Sequence, residues 1–371
     1  MLEKPYKPAY SLVLMGMFKN MLGSEESLFL DPVPLDYDYV PKLVPYREQE
    51  QRQIALCIKP LLAGRNGRNL LLHGPPGVGK TVAVRHLIKE LEEEAEDIIP
   101  IYINCWQKNT SYKIILELCN TLDYRFTQNK KTDELFTVVR QILNKKSAVL
   151  VFDEVDKLED VDFIYFLLEE LYRKSIILIT NYREWLVDLD SRIKSRLTAE
   201  LLEFRQYNSH ETEGILRERM KYAFVSGIWE EPAFQEIVMR AVSLGDIRTG
   251  LYLMREAGQA AEDKASKKIT SEFVGAALQK LEAFSIKKQD ELEEESRFIL
   301  SLVKGKTDVR IGDLFREYEQ NGGKLVYKSF QRKINKLAEN RFISVKKVMG
   351  GSEGSTTLIS SMGNIKKLTE F

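Results

Sequence analysis

A run of thirteen residues, 69–81, constrains the fold of this 371-residue chain more than any other stretch. It reads Asn-Leu-Leu-Leu-His-Gly-Pro-Pro-Gly-Val-Gly-Lys-Thr, so three leucines that predict a buried strand lead directly into a glycine-rich turn. The amphipathic run 82–91 follows and predicts a helix. Strand, glycine-rich turn and helix start in this order are typical of a loop that wraps phosphate groups. The first expectation is therefore an α/β sheet that binds a nucleotide.

Each residue type in this loop has a chemical reason to be there. Glycine lacks the β-carbon that would keep the backbone N–H groups away from a triphosphate, and the helix that follows directs its positive end at the phosphates. We expect the lysine to reach the β- and γ-phosphates and the threonine hydroxyl to bind Mg²⁺. The predicted nucleotide contacts are Gly77, Val78, Gly79, Lys80 and Thr81.

Two further strands end in polar side chains that suit the same chemistry. The hydrophobic run 147–152 ends at Asp153 and Glu154, and the run 175–180 ends at Asn181. At the carboxyl ends of parallel strands, Asp153 is suited to hold Mg²⁺ and Glu154 to polarise an attacking water. The amide of Asn181 is suited to orient that water, although asparagine is also a common turn residue.

Strands alternate with helices up to about residue 205, which predicts a doubly wound parallel sheet. From residue 209 to residue 281 the periodicity is helical throughout, which predicts a separate all-α domain. The expected domains are an N-terminal extension at 1–37, a nucleotide-binding domain at 38–205, a helical lid at 206–284, a charged linker at 285–295 and a winged-helix domain at 296–371.

Charge is distributed unevenly along the chain, although its formal net charge is zero. Residues 296–371 carry 15 Lys and Arg against 7 Asp and Glu, so the rest of the chain has a net charge of −8. The three cysteines form no paired motif and predict reduced core residues, and no stretch reads as a signal peptide or a membrane span. These features predict a cytosolic protein with a basic C-terminal end.

The basic end reads as three helices followed by two strands around a glycine-rich turn, which is the winged-helix order. In the third helix, 327–340, Phe330, Ile334 and Leu337 have the spacing of a core face. The outward face and the strand before the turn supply the predicted DNA contacts: Lys328, Arg332, Asn335, Lys336, Lys346 and Lys347. A winged helix can instead dock proteins, and that alternative stays open here.

The order of these motifs resembles that of AAA+ ATPases, in which a helical lid follows the nucleotide-binding sheet. In this resemblance, residues 74–81 match Walker A, Asp153-Glu154 match Walker B and Asn181 matches sensor 1. The segments 39–50, 102–113 and Gly245-Asp246-Ile247-Arg248 narrow the likeness. They are similar to the archaeal replication initiators of the origin-recognition and cell-division-cycle type, and the likeness spans about residues 38–365.

This resemblance implies roles for further residues. Arg248 matches the lid arginine called sensor 2, which reaches the γ-phosphate, while Tyr207 and Arg219 match the adenine-side and lid contacts. Arg196, with Arg192 as the substitute, matches the arginine finger that completes a neighbouring subunit's site. Residues 110–131 match the position of an initiator-specific helical insertion that touches DNA, to which Lys130 and Lys131 would contribute.

By resemblance, the chain is a slow ATPase of the cytoplasm and nucleoid, switched between ATP and ADP with Mg²⁺. Its implied partners are double-stranded origin DNA, the replicative helicase and paralogous initiators bound to DNA, with no membrane. One alternative is a signal-transduction P-loop ATPase that regulates transcription, since those proteins share the domain order. A further alternative is a scaffold protein that binds nucleotide without hydrolysing it.

Overall fold

The computed structural model describes residues 27–290, 293–339, 342–350 and 354–361. The chain divides into two compact units, Met1–Leu278 and Gln279–Phe371. The tip of the predicted wing, 351–353, lies outside the described residues, as do the first 26 residues of the predicted N-terminal extension. Within the described part, no helix combines the length and the apolar character that a membrane span requires.

The first unit contains a five-stranded parallel sheet. Its strands are β1 (Leu70–His73), β2 (Ile98–Asn104), β3 (Ser147–Asp153), β4 (Lys174–Ile179) and β5 (Glu200–Glu203), arranged in the order β2-β3-β4-β1-β5. The helices of this part are α1 (Glu48–Ile58), α2 (Lys80–Glu94), α3 (Ser111–Thr121), α4 (Thr132–Leu143), α5 (Asp162–Glu170), α6 (Trp185–Asp188) and α7 (Ser191–Leu197). The doubly wound parallel sheet predicted from the sequence is therefore confirmed.

Both faces of the sheet are buried at β1, β3 and β4, because alternate residues of these strands pack into different cores. Leu71 packs with α3, α4 and α5, whereas its neighbours Leu70 and Leu72 pack with α1 and α2. A strand covered on both faces reads as a continuous hydrophobic run. This explains the uninterrupted apolar runs that precede Gly74 and Asp153.

Strand β5 was not predicted from the sequence. Its residues read Glu-Leu-Leu-Glu, and only Leu202 among them is buried. The strand pairs with β1 in parallel, from Leu70 opposite Glu200 to His73 opposite Glu203. An edge strand of four residues with acidic ends carries little hydrophobic periodicity, so only the pairing with β1 defines it.

Four helices follow the sheet: α8 (Ser209–Ala223), α9 (Glu231–Leu244), α10 (Ile247–Asp263) and α11 (Ser271–Asp290). The side chains of Asn208 and Glu211 form a reciprocal capping box at the start of α8, and Asp246 caps α10 by accepting from the backbone N–H of Arg248. These caps satisfy backbone donors that a helix start leaves unpaired. The predicted all-α lid is present.

The charged segment 285–295, expected to be a linker, is helical at 285–290 and again from Glu294, whereas Glu293 is an extended N-cap residue. Helix α11 continues to Asp290, and α12 (Glu294–Val303) begins within the same segment. Lysine, glutamine, glutamate and leucine are all good helix formers, so the charge run extends the helix rather than ending it.

The described part of the second unit contains, after the end of α11, three helices and a three-stranded antiparallel sheet. The helices are α12, α13 (Ile311–Gln320) and α14 (Tyr327–Glu339), and the strands β6 (Val309–Arg310), β7 (Ile343–Gly350) and β8 (Gly354–Ser361) are arranged in the order β6-β8-β7. Phe330, Ile334 and Leu337 of α14 are buried in this unit's core, as their spacing predicted. These elements follow one another in the order that a winged helix has.

Candidate functional site

The glycine-rich turn after β1 adopts backbone conformations that favour glycine. Gly74, Gly77 and Gly79 have φ values of 143°, 81° and 87°. A Cβ at Gly74 would lie 2.2 Å from the carbonyl oxygen of Phe204, and one at Gly77 would lie 2.0 Å from Asp246 Oδ1. The turn therefore needs glycine both for its backbone angles and for its close neighbours.

Lys80 is buried at the start of α2, and its ammonium group is fully engaged. Nζ donates to the carbonyl oxygens of Gly74 at 2.7 Å and Pro75 at 2.9 Å, and to Asn181 Oδ1 at 3.0 Å. Burial lowers the pKa of Lys80 to about 8, although the carboxylate of Asp153 opposes this shift. An anionic phosphate beside this ammonium would favour its charged form.

The start of α2 and the end of β3 meet through their side chains. Thr81 Oγ1 donates to Asp153 Oδ2 at 2.6 Å, and the hydroxyl of Tyr102 donates to the same oxygen at 2.7 Å. Burial, together with the carboxylate of Asp153, raises the pKa of Tyr102, so this phenol stays protonated and acts as a donor. Tyr102 was not among the predicted site residues, because its contact with Asp153 depends on the pairing of β2 with β3.

Glu154 follows Asp153 in a left-handed backbone conformation, with φ at 57°. Its backbone N–H donates to Asp153 Oδ1 at 2.8 Å. Burial and the neighbouring carboxylates of Asp153 and Asp156 raise the pKa of Glu154. A carboxylate with a raised pKa, next to a candidate metal ligand, has the character of a general base.

The oxygens at this point suit Mg²⁺. The Thr81 hydroxyl and the Asp153 carboxylate are hard oxygen ligands that are already in contact with each other. Among the residues that the structure describes, no group of three or more His, Cys, Asp or Glu side chains could hold a metal ion. Magnesium commonly takes one or two protein oxygens and completes its shell with phosphate oxygens and water, so these residues fit the ion.

The predicted sensor arginine Arg248 lies at the start of α10 in the lid. Its Nε and Nη2 atoms are each 3.0 Å from an oxygen of Asp246. The same carboxylate is so close to the turn that no side chain fits at Gly77. The lid therefore meets the glycine-rich turn through Asp246, with Arg248 beside it.

Tyr207 and Arg219 occupy different surroundings. The hydroxyl of Tyr207 lies close to Gly79, since a Cβ there would be 2.6 Å away from it. Arg219 is buried on α8, with its guanidinium carbon 4.7 Å from the centre of the Tyr39 ring, and burial lowers its pKa. Tyr207 is therefore next to the turn, whereas the contacts of Arg219 are with the segment that precedes α1.

Arg192 and Arg196 lie on α7, and both side chains are exposed. Arg192 pairs with Asp190 at 3.1 Å, and Arg196 pairs with Glu169. Their guanidinium carbons lie 5.9 and 5.1 Å from the centre of the Tyr165 ring. One aromatic ring thus supports both candidate finger arginines.

Two groups of basic residues were predicted to touch DNA. Lys130 donates to the hydroxyl of Tyr124 at 2.5 Å, and the neighbouring Lys131 immediately precedes α4. On α14 the outward residues are exposed, namely Lys328, Arg332, Asn335 and Lys336. Lys346 and Lys347 lie on β7, and their side chains are outside what the structure describes.

One buried residue near the turn has no counterpart among the predicted site residues. Arg47 is fully buried and donates from Nε to the carbonyl oxygen of Val78 at 3.1 Å. The only signal in the sequence was its place in the segment 46–50, which contributed to the family resemblance without suggesting a role.

Two protein-family models match the chain, one over the parallel sheet and one over the helical lid. A family model of the AAA domain matches residues 64–184, and a model of the Cdc6 AAA+ ATPase-type lid domain matches residues 213–279. These two matches cover the sheet with its glycine-rich turn and most of the lid.

Three archaeal proteins are similar to this chain over most of its length. The ORC1-type DNA replication protein 1 of Archaeoglobus fulgidus is 30% identical over 344 residues, covering 87% of this chain and 84% of the relative. The ORC1-type DNA replication protein 2 of Methanosarcina acetivorans is 27% identical, covering 92% and 95%. Among solved structures, the Aeropyrum pernix ORC1 protein in complex with DNA is 25% identical with a TM-score of 0.68, covering 91% and 94%.

Proposed function

The chain belongs to the family of ORC1-type DNA replication proteins, and from this premise we propose that it is an ATP-dependent initiator of DNA replication. It binds double-stranded origin DNA and helps to recruit the replicative helicase. Two hydrogen bonds near the carboxyl ends of three strands support the binding of ATP. Lys80 donates to Asn181, and Thr81 donates to Asp153. In open parallel sheets, ligands bind at that end.

In this proposal the turn binds the triphosphate of ATP. The backbone N–H groups of 77–81 and the ammonium group of Lys80 hold the phosphates, while Thr81 and Asp153 would hold Mg²⁺. When bound there, the ion would supply positive charge beside the phosphate oxygens. Glu154 accepts a proton from the attacking water, and Asn181 orients that water through its amide.

The lid then acts as the detector of the terminal phosphate. Arg248 can reach a γ-phosphate by exchanging its partner Asp246 for the phosphate oxygens. Hydrolysis removes the γ-phosphate that Arg248 would contact, so the lid has a different preferred position with ATP and with ADP. Arg196, or Arg192 in its place, contributes charge to a neighbouring subunit's site. A slow, switch-like turnover follows from this need for a second subunit.

DNA contacts are proposed for the basic residues of α14, for Lys346 and Lys347, and for Lys130 and Lys131. The exposed face of α14 carries three formal positive charges, at Lys328, Arg332 and Lys336. Such a face is suited to the phosphates and base edges of a major groove. The protein would then act in the cytoplasm at the nucleoid, together with paralogous initiators on the same DNA.

The transcription-regulating P-loop ATPase is not favoured. It shares the domain order, but the lid of this chain matches the Cdc6 type and the relatives are DNA replication proteins. A genome-wide recovery of DNA bound by the protein in its own cells separates the two candidates. One or a few sharp intergenic peaks would support the initiator, whereas binding at many promoters would support the regulator.

A further inference from the structure

Two consecutive residues before α1, Tyr46 and Arg47, extend towards different parts of the first unit. The backbone of Tyr46 is left-handed, with φ at 66°, which is uncommon and costly for a residue with a bulky side chain. Its N–H donates to Glu48 Oε1 at 3.1 Å. A strained conformation persists only where the surrounding contacts hold it, so the contacts of both side chains are informative.

Arg47 joins the glycine-rich turn to the segment that leads into the lid. Its side chain is fully buried, and it donates to the carbonyl oxygen of Val78 at 3.1 Å and to that of Arg205 at 2.5 Å. Glu50 supplies the balancing carboxylate at 2.7 Å. A buried guanidinium is tolerated only when its donors are paired, so these partners fix its position.

The flat face of the same guanidinium lies over an aromatic ring of the lid-connecting segment. The carbon at its centre is 4.1 Å from the centre of the Tyr207 ring and 5.2 Å from that of Phe204. A cation over an aromatic face is attracted to it, most strongly when water is excluded. Arg47 therefore holds Val78 of the turn and residues 204–207 in one arrangement.

Tyr46 makes the corresponding contact with the lid itself. Its ring lies edge-on to His210 with 6.2 Å between the centroids. Its hydroxyl approaches Gly214 so closely that a Cβ on that residue would be 2.2 Å away. Both residues lie on α8, the first lid helix. Glycine weakens a helix interior, but at Gly214 it provides the space that Tyr46 occupies.

We propose that Tyr46 and Arg47 are positioning residues that make the lid and the glycine-rich turn move together. The pair acts through the carbonyl of Val78 and through α8. Because the lid carries Arg248, the position of the pair sets how well that arginine reaches a terminal phosphate. The inference rests on the proposed ATP-dependent function and adds a residue pair that transmits the difference between ATP and ADP.

The sharpest test is Gly214→Ala, with Gly275→Ala as the matched control. Alanine favours a helix over glycine, so neither change should lower helix stability. Only Gly214 has Tyr46 against it, whereas a Cβ at Gly275 on α11 meets nothing within 4 Å. We expect Gly214→Ala to weaken ATP binding about tenfold and ADP binding less than about twofold, so that the ATP-to-ADP affinity ratio falls at least about fivefold. Gly275→Ala should change neither affinity.

Two further variants separate positioning from a general loss of structure. Arg47→Lys keeps the charge but lacks the planar fork that donates to two carbonyls, so it should show the same selective loss of ATP affinity. Tyr46→Phe in the Gly214→Ala background removes the oxygen nearest to the new methyl group, and should restore most of the ATP affinity.

Fluorescent-nucleotide titrations of the full chain with ATP and with ADP give these affinities. The coupling would be overturned if the ATP-to-ADP affinity ratio did not change in Gly214→Ala and Arg47→Lys, either because both affinities stay the same or because both fall equally. The proposed function would remain intact in that case. Absence of ATP binding by the unmodified protein would instead overturn the proposed function, and the coupling with it.

Discussion

The hydroxyl of Thr81 donates to Asp153 Oδ2 at 2.6 Å, although the two residues are 72 positions apart in the chain. Tyr102 holds the same carboxylate oxygen from the neighbouring strand. The two side chains proposed to hold magnesium thus lie at the start of α2 and at the end of β3, and they are in direct contact. Changes in the nucleotide site should therefore alter binding or hydrolysis separately from the fold.

Lys80→Ala should abolish ATP binding, because it removes the cation that we expect to balance the β- and γ-phosphates. Binding of duplex DNA should stay largely intact, since the residues proposed for it on α14 belong to the other compact unit. Nucleotide filter binding and gel shifts measure the two activities. Lys89→Ala, an exposed lysine on the same helix, is the control. Equal loss of both activities in Lys80→Ala would contradict this assignment.

Arg332→Ala combined with Lys336→Ala should weaken duplex binding and reduce its dependence on salt. Each lost phosphate contact lowers the slope of log affinity against log salt by about 0.9, so the double variant should lose about 1 to 2 units of slope.

Titrations at several salt concentrations measure this slope for both proteins. The control removes equal charge elsewhere in the second unit, through Lys304→Ala with Arg316→Ala. A slope that does not change in the α14 variant would show that this helix does not face phosphates.

Arg196→Ala should leave ATP affinity unchanged and lower hydrolysis only when several subunits assemble on DNA. An arginine finger contributes about 10³ or more to the rate in related phosphoryl transfers. We expect at least a roughly hundredfold loss for Arg196→Ala and a smaller one for Arg192→Ala. Phosphate release, measured with and without duplex DNA, gives the loss of hydrolysis rate in each variant. A larger loss in Arg192→Ala would reverse the assignment between the two arginines.

Glu211→Gln should destabilise the protein at pH 7 and do so less at pH 3.5, where part of the stabilisation by this carboxylate is already lost. Hydrogen bonds from Arg205 chiefly, and from the backbone at Asn208, lower the pKa of Glu211 from 4.5 to about 2, although burial opposes them. A carboxylate with a lowered pKa adds stability that is complete above about pH 4.5 and is lost as pH falls towards 2.

The expected loss is about 1 to 2 kcal/mol at pH 7, reduced because Arg205 is largely exposed. Urea unfolding at pH 7 and at pH 3.5 measures it, with Glu92→Gln, an exposed carboxylate of α2, as the control. A destabilisation by Glu211→Gln that is equal at both pH values would mean that this ion pair does not cause it.

Local sequence patterns predicted the parts of the site that depend on neighbouring residues in the chain. The turn 74–81 and the acidic pair Asp153-Glu154 each follow a hydrophobic strand, and the register of parallel strands brings such ends together. Tyr102 and Arg47 were missed because their partners are distant in sequence. Nothing in a single tyrosine or arginine indicates which carboxylate or carbonyl it will meet after folding.

The same reasoning explains the differences in the fold. Strand β5 is short and mostly exposed, so its identity depends on pairing with β1 rather than on its own residues. Helix α11 extends to Asp290, into a segment whose charges suggested a linker, because charge indicates exposure to solvent and does not exclude a helix.

The most direct test of the central claim is single-turnover hydrolysis of bound ATP by the unmodified protein and by Glu154→Gln. The amide cannot accept the proton of the attacking water, but it keeps the size of the side chain. We predict equal ATP affinity for the two proteins and a rate of phosphate release at least about a hundredfold lower in Glu154→Gln. Equal rates of phosphate release from both proteins would contradict the assignment of this site as an ATP-hydrolysing centre.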